Sequence, residues 1–294
     1  MSERFDFTGD ELAPAYRAAV DAIEAGDLVV LPTDTVYGVA ADAFKADAVQ
    51  RLLDAKSAGR DMPPPVLISV VESLDALATD VPDAGRKLCE EFWPGPLTVI
   101  CHAQSSLMWD LGDTQGTVSL RVPDHENTRE LLSRTGPLAV SSANKSGQAA
   151  ALDVYDAEDQ LGESVAVYLD GGEAAGGASS TIVDITGDTP RVVRVGAISL
   201  DQLRAVVPEV TTDPDDPTEE SPAESSTEDE PAEDKLVEGE PADEKPADEK
   251  PVDEKPVEDG SAEEKSAGEP TDGVVAASKE DGEKKPDSNV RPAD

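Results

Sequence analysis

LVVLPTDTVYGVAADA, residues 28–43, runs four apolar residues into a proline and then places Thr33, Asp34, Thr35 and Tyr37 in quick succession before Gly38. The apolar run reads as a short buried strand that stops at Pro32, and the polar residues after it read as a turn. The same residues also suit the floor of a polar pocket, because short hydroxyls at the end of a buried strand can converge on a small polar ligand. On that reading Thr35 faces the ligand, Asp34 and Tyr37 hold the turn, and Gly38 lets the chain pass close beneath the ligand.

Working outward, helical and strand patterns alternate. ELAPAYRAAVDAIEAGD before the strand has the spacing of an amphipathic helix closed by Gly26, and residues 46–55 after it repeat that spacing through Val49, Leu52 and Leu53. PPVLISV, PLTVIC, TVSLRV, PLAVSS, VAVYLD, STIVDI and RVVRV read as strands, while GRKLCEEFW, NTRELLSR and SLDQLRAVV read as helices. Interleaving of this kind indicates an α/β domain. The turn sequence TGDTP between STIVDI and RVVRV predicts a hairpin, so the sheet should mix parallel and antiparallel pairs.

Charge divides the 294 residues in two. Of 64 acidic and 24 basic side chains, residues 209–294 hold 31 and 9, a balance of −22, with no Phe, Trp or Tyr and a recurring DEKP unit. A segment so poor in apolar surface cannot offset its ordering entropy and reads as a disordered acidic tail. Residues 1–208 then form one domain large enough for a single core. The overall charge of −40 argues against strong nonspecific binding to nucleic acid, which needs lysine or arginine at each phosphate. Cys89 and Cys101, both within apolar segments, read as buried reduced thiols rather than a disulfide framework. A polar N-terminus and the lack of a long apolar run predict no signal peptide, no membrane span and a cytoplasmic protein.

Several predicted strands end in the same chemistry: LVVL in the TDT cluster, TVSL in Arg121, PLAV in Ser141, Ser142 and Asn144, RVV in Arg194. Lys56 and Arg60 stand four apart, at the end of a helix and in the loop after it, where they act either as a helix C-terminal cap or as an anion clamp. Three prolines, Pro63 to Pro65, would stiffen that loop. The glycine-rich stretch DGGEAAGGASST suits a lid or a long loop, with Ser180 at the start of the next strand. FWPGPLT reads as structure, a helix end followed by a turn with Trp93 in the core. No Walker loop, GxGxxG turn or GxSxG elbow is present, and His102 and His125 have no partner at metal-ligand spacing.

In order along residues 10–207, LPTDTVYGVAADA, the Lys56 to Arg60 region, FWPGPLTVI, VSLRVPDH, GPLAVSSANKSG, DGG with STIVDI, and RVVRVGAIS resemble the threonylcarbamoyl-AMP synthase family of YrdC-like enzymes. The resemblance implies a single α/β domain with a twisted mixed sheet, helices packed on it and a concave substrate face. It implies the reaction of L-threonine, bicarbonate and ATP to threonylcarbamoyl-AMP and pyrophosphate. The product would pass to a downstream threonylcarbamoyl-transferase complex acting on tRNA, at the adenosine beside the anticodon. By position, Lys56 and Arg60 correspond to the catalytic phosphate clamp, and Thr117, Asn144 and Arg194 to further ATP contacts. Thr35, Arg121, Ser142 and Ser180 correspond to threonine contacts, with Mg2+ carried on the ATP phosphates and no protein metal site. A carbamoyl-adenylate enzyme for another acceptor, or a module gripping double-stranded RNA, are the competing readings. The first expects acylphosphatase and zinc-finger parts, and the acidic balance weakens the second.

Overall fold

The structure, a computed structural model, describes residues 2–174 and 177–212. Its strands are β1 (Glu3–Asp6), β2 (Val29–Leu31), β3 (Gly38–Asp42), β4 (Val66–Leu67), β5 (Ala78–Thr79), β6 (Leu97–Ala103), β7 (Thr117–Arg121), β8 (Leu138–Ser142), β9 (Val167–Asp170), β10 (Thr181–Asp184), β11 (Arg191–Arg194) and β12 (Thr211–Thr212). The helices are α1 (Ala13–Ala25), α2 (Ala46–Lys56), α3 (Leu74–Leu77), α4 (Asp83–Phe92), α5 (Glu126–Thr135), α6 (Val154–Leu161) and α7 (Leu200–Val206). All twelve strands join one mixed sheet in the order β1-β9-β2-β3-β8-β4-β7-β6-β10-β11-β12, with β5 on β6.

The unbroken apolar run of β2 follows from its place in that order. Val29 and Leu31, with Ala40 of β3, pack against Tyr16, Ala19 and Ile23 of α1 and Leu131 and Leu132 of α5. Leu28, Val30, Val39 and Ala41 pack on the other side, against Leu52 and Leu53 of α2 and Val154 of α6. With helices on both faces, every position of β2 and all but the terminal Asp42 of β3 is buried. α1 closes as its sequence predicts, Gly26 taking φ 83° with its N–H bonded to the carbonyls of Ala22 and Ile23.

The other half of the sheet is covered differently. Leu97, Val99 and Cys101 of β6, Val118 and Leu120 of β7 and Val183 of β10 bury against Leu88 and Cys89 of α4 and Leu203 of α7. The alternate residues Thr98, Ile100, Ser119, Arg121 and Ile182 line an open cleft. Period-two alternation therefore sorts the core from the site. β10 and β11 form the expected antiparallel hairpin, with a register shift between Ile182 and Val183.

The sequence reading missed several elements. GVAAD, given no element in the sequence reading, is strand β3, paired antiparallel to both β2 and β8. ERFD, read only as polar, is β1, which lies parallel to β9 with Phe5 packed on the core and its other side chains exposed. The helix α6 is also new, capped by the Asp153 carboxylate accepting from the Asp156 N–H at 2.8 Å. The described fold also runs past the expected boundary at Pro208, since Val210 is buried and β12 pairs with β11. The disordered tail read from 209 onward lies, from residue 213, outside the described residues.

Truncation tests that boundary. A chain ending at Thr212 is expected to keep its melting temperature, while one ending at Pro208 loses Val210 and β12 and with them about 1–3 kcal/mol, as thermal denaturation of both would read.

Candidate active site

The cleft has a volume of about 520 Å³, a size suited to a small molecule or nucleotide. One wall is the turn between β2 and β3, and its hydrogen bonds explain why these polar residues follow Pro32. The Thr33 hydroxyl donates to the Val36 carbonyl at 2.6 Å and accepts from the Thr35 N–H at 3.1 Å, folding the turn on itself. The buried Thr128 hydroxyl of α5 donates to the Pro32 carbonyl at 2.7 Å, fixing the turn to the body.

Arg121 projects from the end of β7 against this turn. Its Nε donates to the Gly95 carbonyl at 3.0 Å, Nη1 to the Thr35 hydroxyl at 3.0 Å, and Nη2 to the Asp34 carboxylate at 2.5 Å. Side-chain exposures of 7% and 14% make Arg121 and Asp34 an ion pair largely removed from water. Burial pulls the Arg121 pKa down against the favourable charge of Asp34, but a guanidinium keeps its proton in such a site. Three of its five N–H groups are committed, so its outward edge remains for a ligand. Asp34 does more than hold the turn: it also accepts from the Asp124 N–H at 2.9 Å and so ties the turn to the segment after β7. Tyr37 likewise reaches away from the turn, donating to the Gly172 carbonyl at 2.5 Å and accepting from the Gly171 N–H at 2.9 Å. Gly38 lines the cleft, and a Cβ there would come within 2.6 Å of Val140 Cγ1 on β8, so the close approach it permits is strand to strand.

On the opposite wall, Arg194 of β11 donates through Nη2 to the Ser180 carbonyl at 2.8 Å. Burial lowers its pKa as well, and its charge is felt at Arg121, which places two guanidiniums in one field. Asp34 pairs with one of them. An anion entering between them meets two guanidiniums, although Asp61 also lines the cleft.

Lys56 ends a helix, as its place in the sequence implies, but it is buried there. It is the last residue of α2, 7% exposed, and its ammonium donates to the Asn144 carbonyl at 2.7 Å and to the Ser142 carbonyl. The Ser146 N–H returns a bond to the Lys56 carbonyl at 2.8 Å, so the helix end and the turn after β8 are locked together. Burial brings the Lys56 pKa down to about 8. Asn144 is held in the same turn by donating through Nδ2 to the Lys145 and Gln148 carbonyls, both at 2.9 Å. Two carbonyl acceptors fix which end of the amide is nitrogen. Its Oδ1 is then the one buried side-chain polar atom among the described residues with no hydrogen-bond partner.

A family model described as Sua5_yciO_yrdC, telomere recombination, matches residues 21–196. The chain belongs to this Sua5/YciO/YrdC family. A Mycobacterium leprae relative bearing the threonylcarbamoyl-AMP synthase name is 50% identical over 208 residues, 70% of this chain and 94% of that protein. The threonylcarbamoyl-AMP synthase of Pyrococcus abyssi is 33% identical over 199 residues, 67% of this chain and 58% of its own. The crystal structure of P. abyssi Sua5 complexed with L-threonine superposes with a TM-score of 0.69 at 30% identity, covering 72% of this chain and 63% of that one. E. coli YciO, 22% identical with a TM-score of 0.63 over 69% of this chain and all of its own, shares the fold.

Within this Sua5/YciO/YrdC fold, Thr35, Arg121, Ser142, Ser180 and Arg194 line the one cleft, and Lys56 and Asn144 stand directly behind Ser142. The remaining two sit elsewhere. Arg60 turns to Asp110 at 2.5 Å and lies 3.9 Å from Asp113, about half exposed, although the residues after it, Asp61 to Pro65, do line the cleft. Thr117 shares the strand face of Arg121 but lies four residues from it along β7, with its hydroxyl given to the Thr114 carbonyl at 2.8 Å. Ser119 lines the cleft between those two positions. Thr98 was passed over inside FWPGPLT, where only the alternation of PLTVIC would have separated it from its core neighbours.

Proposed function

We propose that this chain is an L-threonylcarbamoyladenylate synthase, converting L-threonine, bicarbonate and ATP to threonylcarbamoyl-AMP and pyrophosphate. The observation that carries the reading is the pairing, across one cleft, of two guanidiniums, Arg121 and Arg194, with the hydroxyls of Thr35, Ser142 and Ser180. An amino acid needs a cation for its carboxylate and small polar groups around it, and a nucleotide needs cations for its phosphates. Arg121, braced by Asp34 and Thr35, takes the threonine carboxylate. Arg194 and Lys56 serve the nucleotide, and the orphaned Asn144 Oδ1 accepts from an N–H or O–H of it. Arg60 joins them only when its contact with Asp110 opens.

The amine of threonine takes up bicarbonate with loss of water, or carbon dioxide with release of a proton, to give a carbamate, whose oxygen attacks the α-phosphorus as pyrophosphate leaves. The chain contributes position and neutralisation of charge on the phosphates, with no general base required beyond those groups. Mg2+ would accompany ATP and shield its phosphates. Among the described residues no group of three His, Cys, Asp or Glu side chains is placed to hold a metal. On this reading the chain supplies cations to the triphosphate. The product is a mixed anhydride, so it is handed to a transferase complex that modifies tRNA. No helix among the described residues is long and apolar enough to cross a membrane, and the reading places the reaction in the cytoplasm.

Pyrophosphate release with ATP and bicarbonate is expected to depend on L-threonine. Release that is equal without it, or equal with an unrelated amino acid, removes the proposal.

A further inference from the structure

Ser180 ends the glycine-rich stretch just before β10 and, 8% exposed, lines the cleft. The nearest side-chain oxygen is Thr98 Oγ1 of β6, at 2.9 Å. Thr98 sits beside Ile182 in the parallel pairing of β6 with β10, one residue beyond the point where the Thr181 N–H bonds to the Pro96 carbonyl at 2.9 Å. At 1% exposure it is a hydroxyl in a strand whose neighbours Leu97 and Val99 are core. Among the described residues Ser180 Oγ is the hydrogen-bond partner of the Thr98 hydroxyl, and either oxygen can be the donor. The second neighbour of Ser180 Oγ is Arg194 Nη2 at 3.5 Å, the same nitrogen that bonds the Ser180 carbonyl. A guanidinium can only donate. Arg194 can therefore only donate to Ser180 Oγ, and where Thr98 donates to it as well, the Ser180 proton is left to point into the cleft.

We infer that Thr98 is a positioning residue for the amino-acid substrate: it fixes the Ser180 hydroxyl as a hydrogen-bond donor, so that Ser180 reads an acceptor oxygen of the substrate and not its ammonium. The inference rests on the reading of the cleft as a threonine site. It separates the hydroxyls that line the cleft by role. Thr33 is spent on the turn and Thr35 receives a bond from Arg121, whereas Ser180 is polarised outward by a partner with no other task.

Thr98→Val keeps the shape of the side chain and removes its hydroxyl, while Thr98→Ser keeps the hydroxyl. L-threonine binding by isothermal titration calorimetry and the KM values for L-threonine and ATP in pyrophosphate release test the role. Thr98→Val is expected to weaken threonine binding and raise its KM roughly three- to tenfold, the worth of one hydrogen bond, with the KM for ATP and the melting temperature nearly unchanged. Thr98→Ser is expected to restore wild-type values. In a Ser180→Ala background the valine substitution should have no further effect on threonine, a coupling that a merely structural threonine would not show. Thr98→Ala with the same measurements serves if the valine variant does not fold. An unmoved threonine KM in an active enzyme, equal rises for both substrates, or additive losses in the double variant overturn the role of Thr98 alone. A wild-type chain that neither binds L-threonine nor depends on it overturns the functional reading, and the inference with it.

Discussion

Arg121→Met is expected to abolish threonine-dependent turnover and to cost the fold about 3–5 kcal/mol, because it leaves the Asp34 carboxylate in the turn without its cation. Asp34 is 14% exposed and pairs with Arg121 at 2.5 Å, so water cannot fully replace the lost partner. Asp34→Asn perturbs the same pair from the other side. It keeps an acceptor for the Asp124 N–H but withdraws the charge facing Arg121, and should raise the threonine KM with a smaller loss of stability. Arg121→Lys separates the two roles. A lysine keeps a charge opposite Asp34 but cannot at once reach the Gly95 carbonyl, the Thr35 hydroxyl and the carboxylate of a ligand, since those bonds use the planar fork. Its expected signature is a threonine KM raised about ten- to a hundredfold, the range for a charge-assisted bond, with the KM for ATP changed far less. Urea denaturation of the three variants and KM values for both substrates check this. Equal rises for threonine and ATP in Arg121→Lys would remove Arg121 as the carboxylate partner.

That network also marks how far the sequence could be read. The strand before Pro32 and the turn after it were legible from LVVLP and TDT, because an apolar run and turn residues are local signals. Strand β3 was not, since GVAAD holds small residues whose burial depends on β2 and β8 pairing on either side of it. The bond between Asp34 and Arg121 joins residues 87 apart in sequence, and that between Thr98 and Ser180 residues 82 apart. No local pattern encodes such separations; they follow from the strand order, which brings β6, β7 and β10 side by side. Arg60 shows the converse. Its spacing from Lys56 suggested one clamp, but Lys56 faces inward at the end of α2, whereas Arg60 lies in a loop that carries it out to Asp110.

Lys56 should betray itself by two opposite pH dependences. Its folded-state pKa of about 8 lies below the ordinary lysine value of 10.5, so between those pH values the unfolded chain binds more protons than the folded one. The contribution of Lys56 to stability therefore rises with pH across that window and is flat below it. Activity should move the other way. The charge that assists the phosphates is lost as pH climbs through about 8, and pyrophosphate release should fall with it. Lys56→Met removes both trends together. It also strands the Ser142 and Asn144 carbonyls, so it should destabilise the fold by about 1–3 kcal/mol rather than leave it intact as a loop substitution would. The loss of one preorganised cation from a site of developing charge is expected to lower kcat by about a hundredfold or more. Guanidinium denaturation from pH 7 to 10.5, run beside pH–rate profiles of wild type and Lys56→Met, reads both. A wild-type activity limb near pH 8 that persists in Lys56→Met would assign that titration to another group and leave Lys56 as the lock between α2 and the turn after β8.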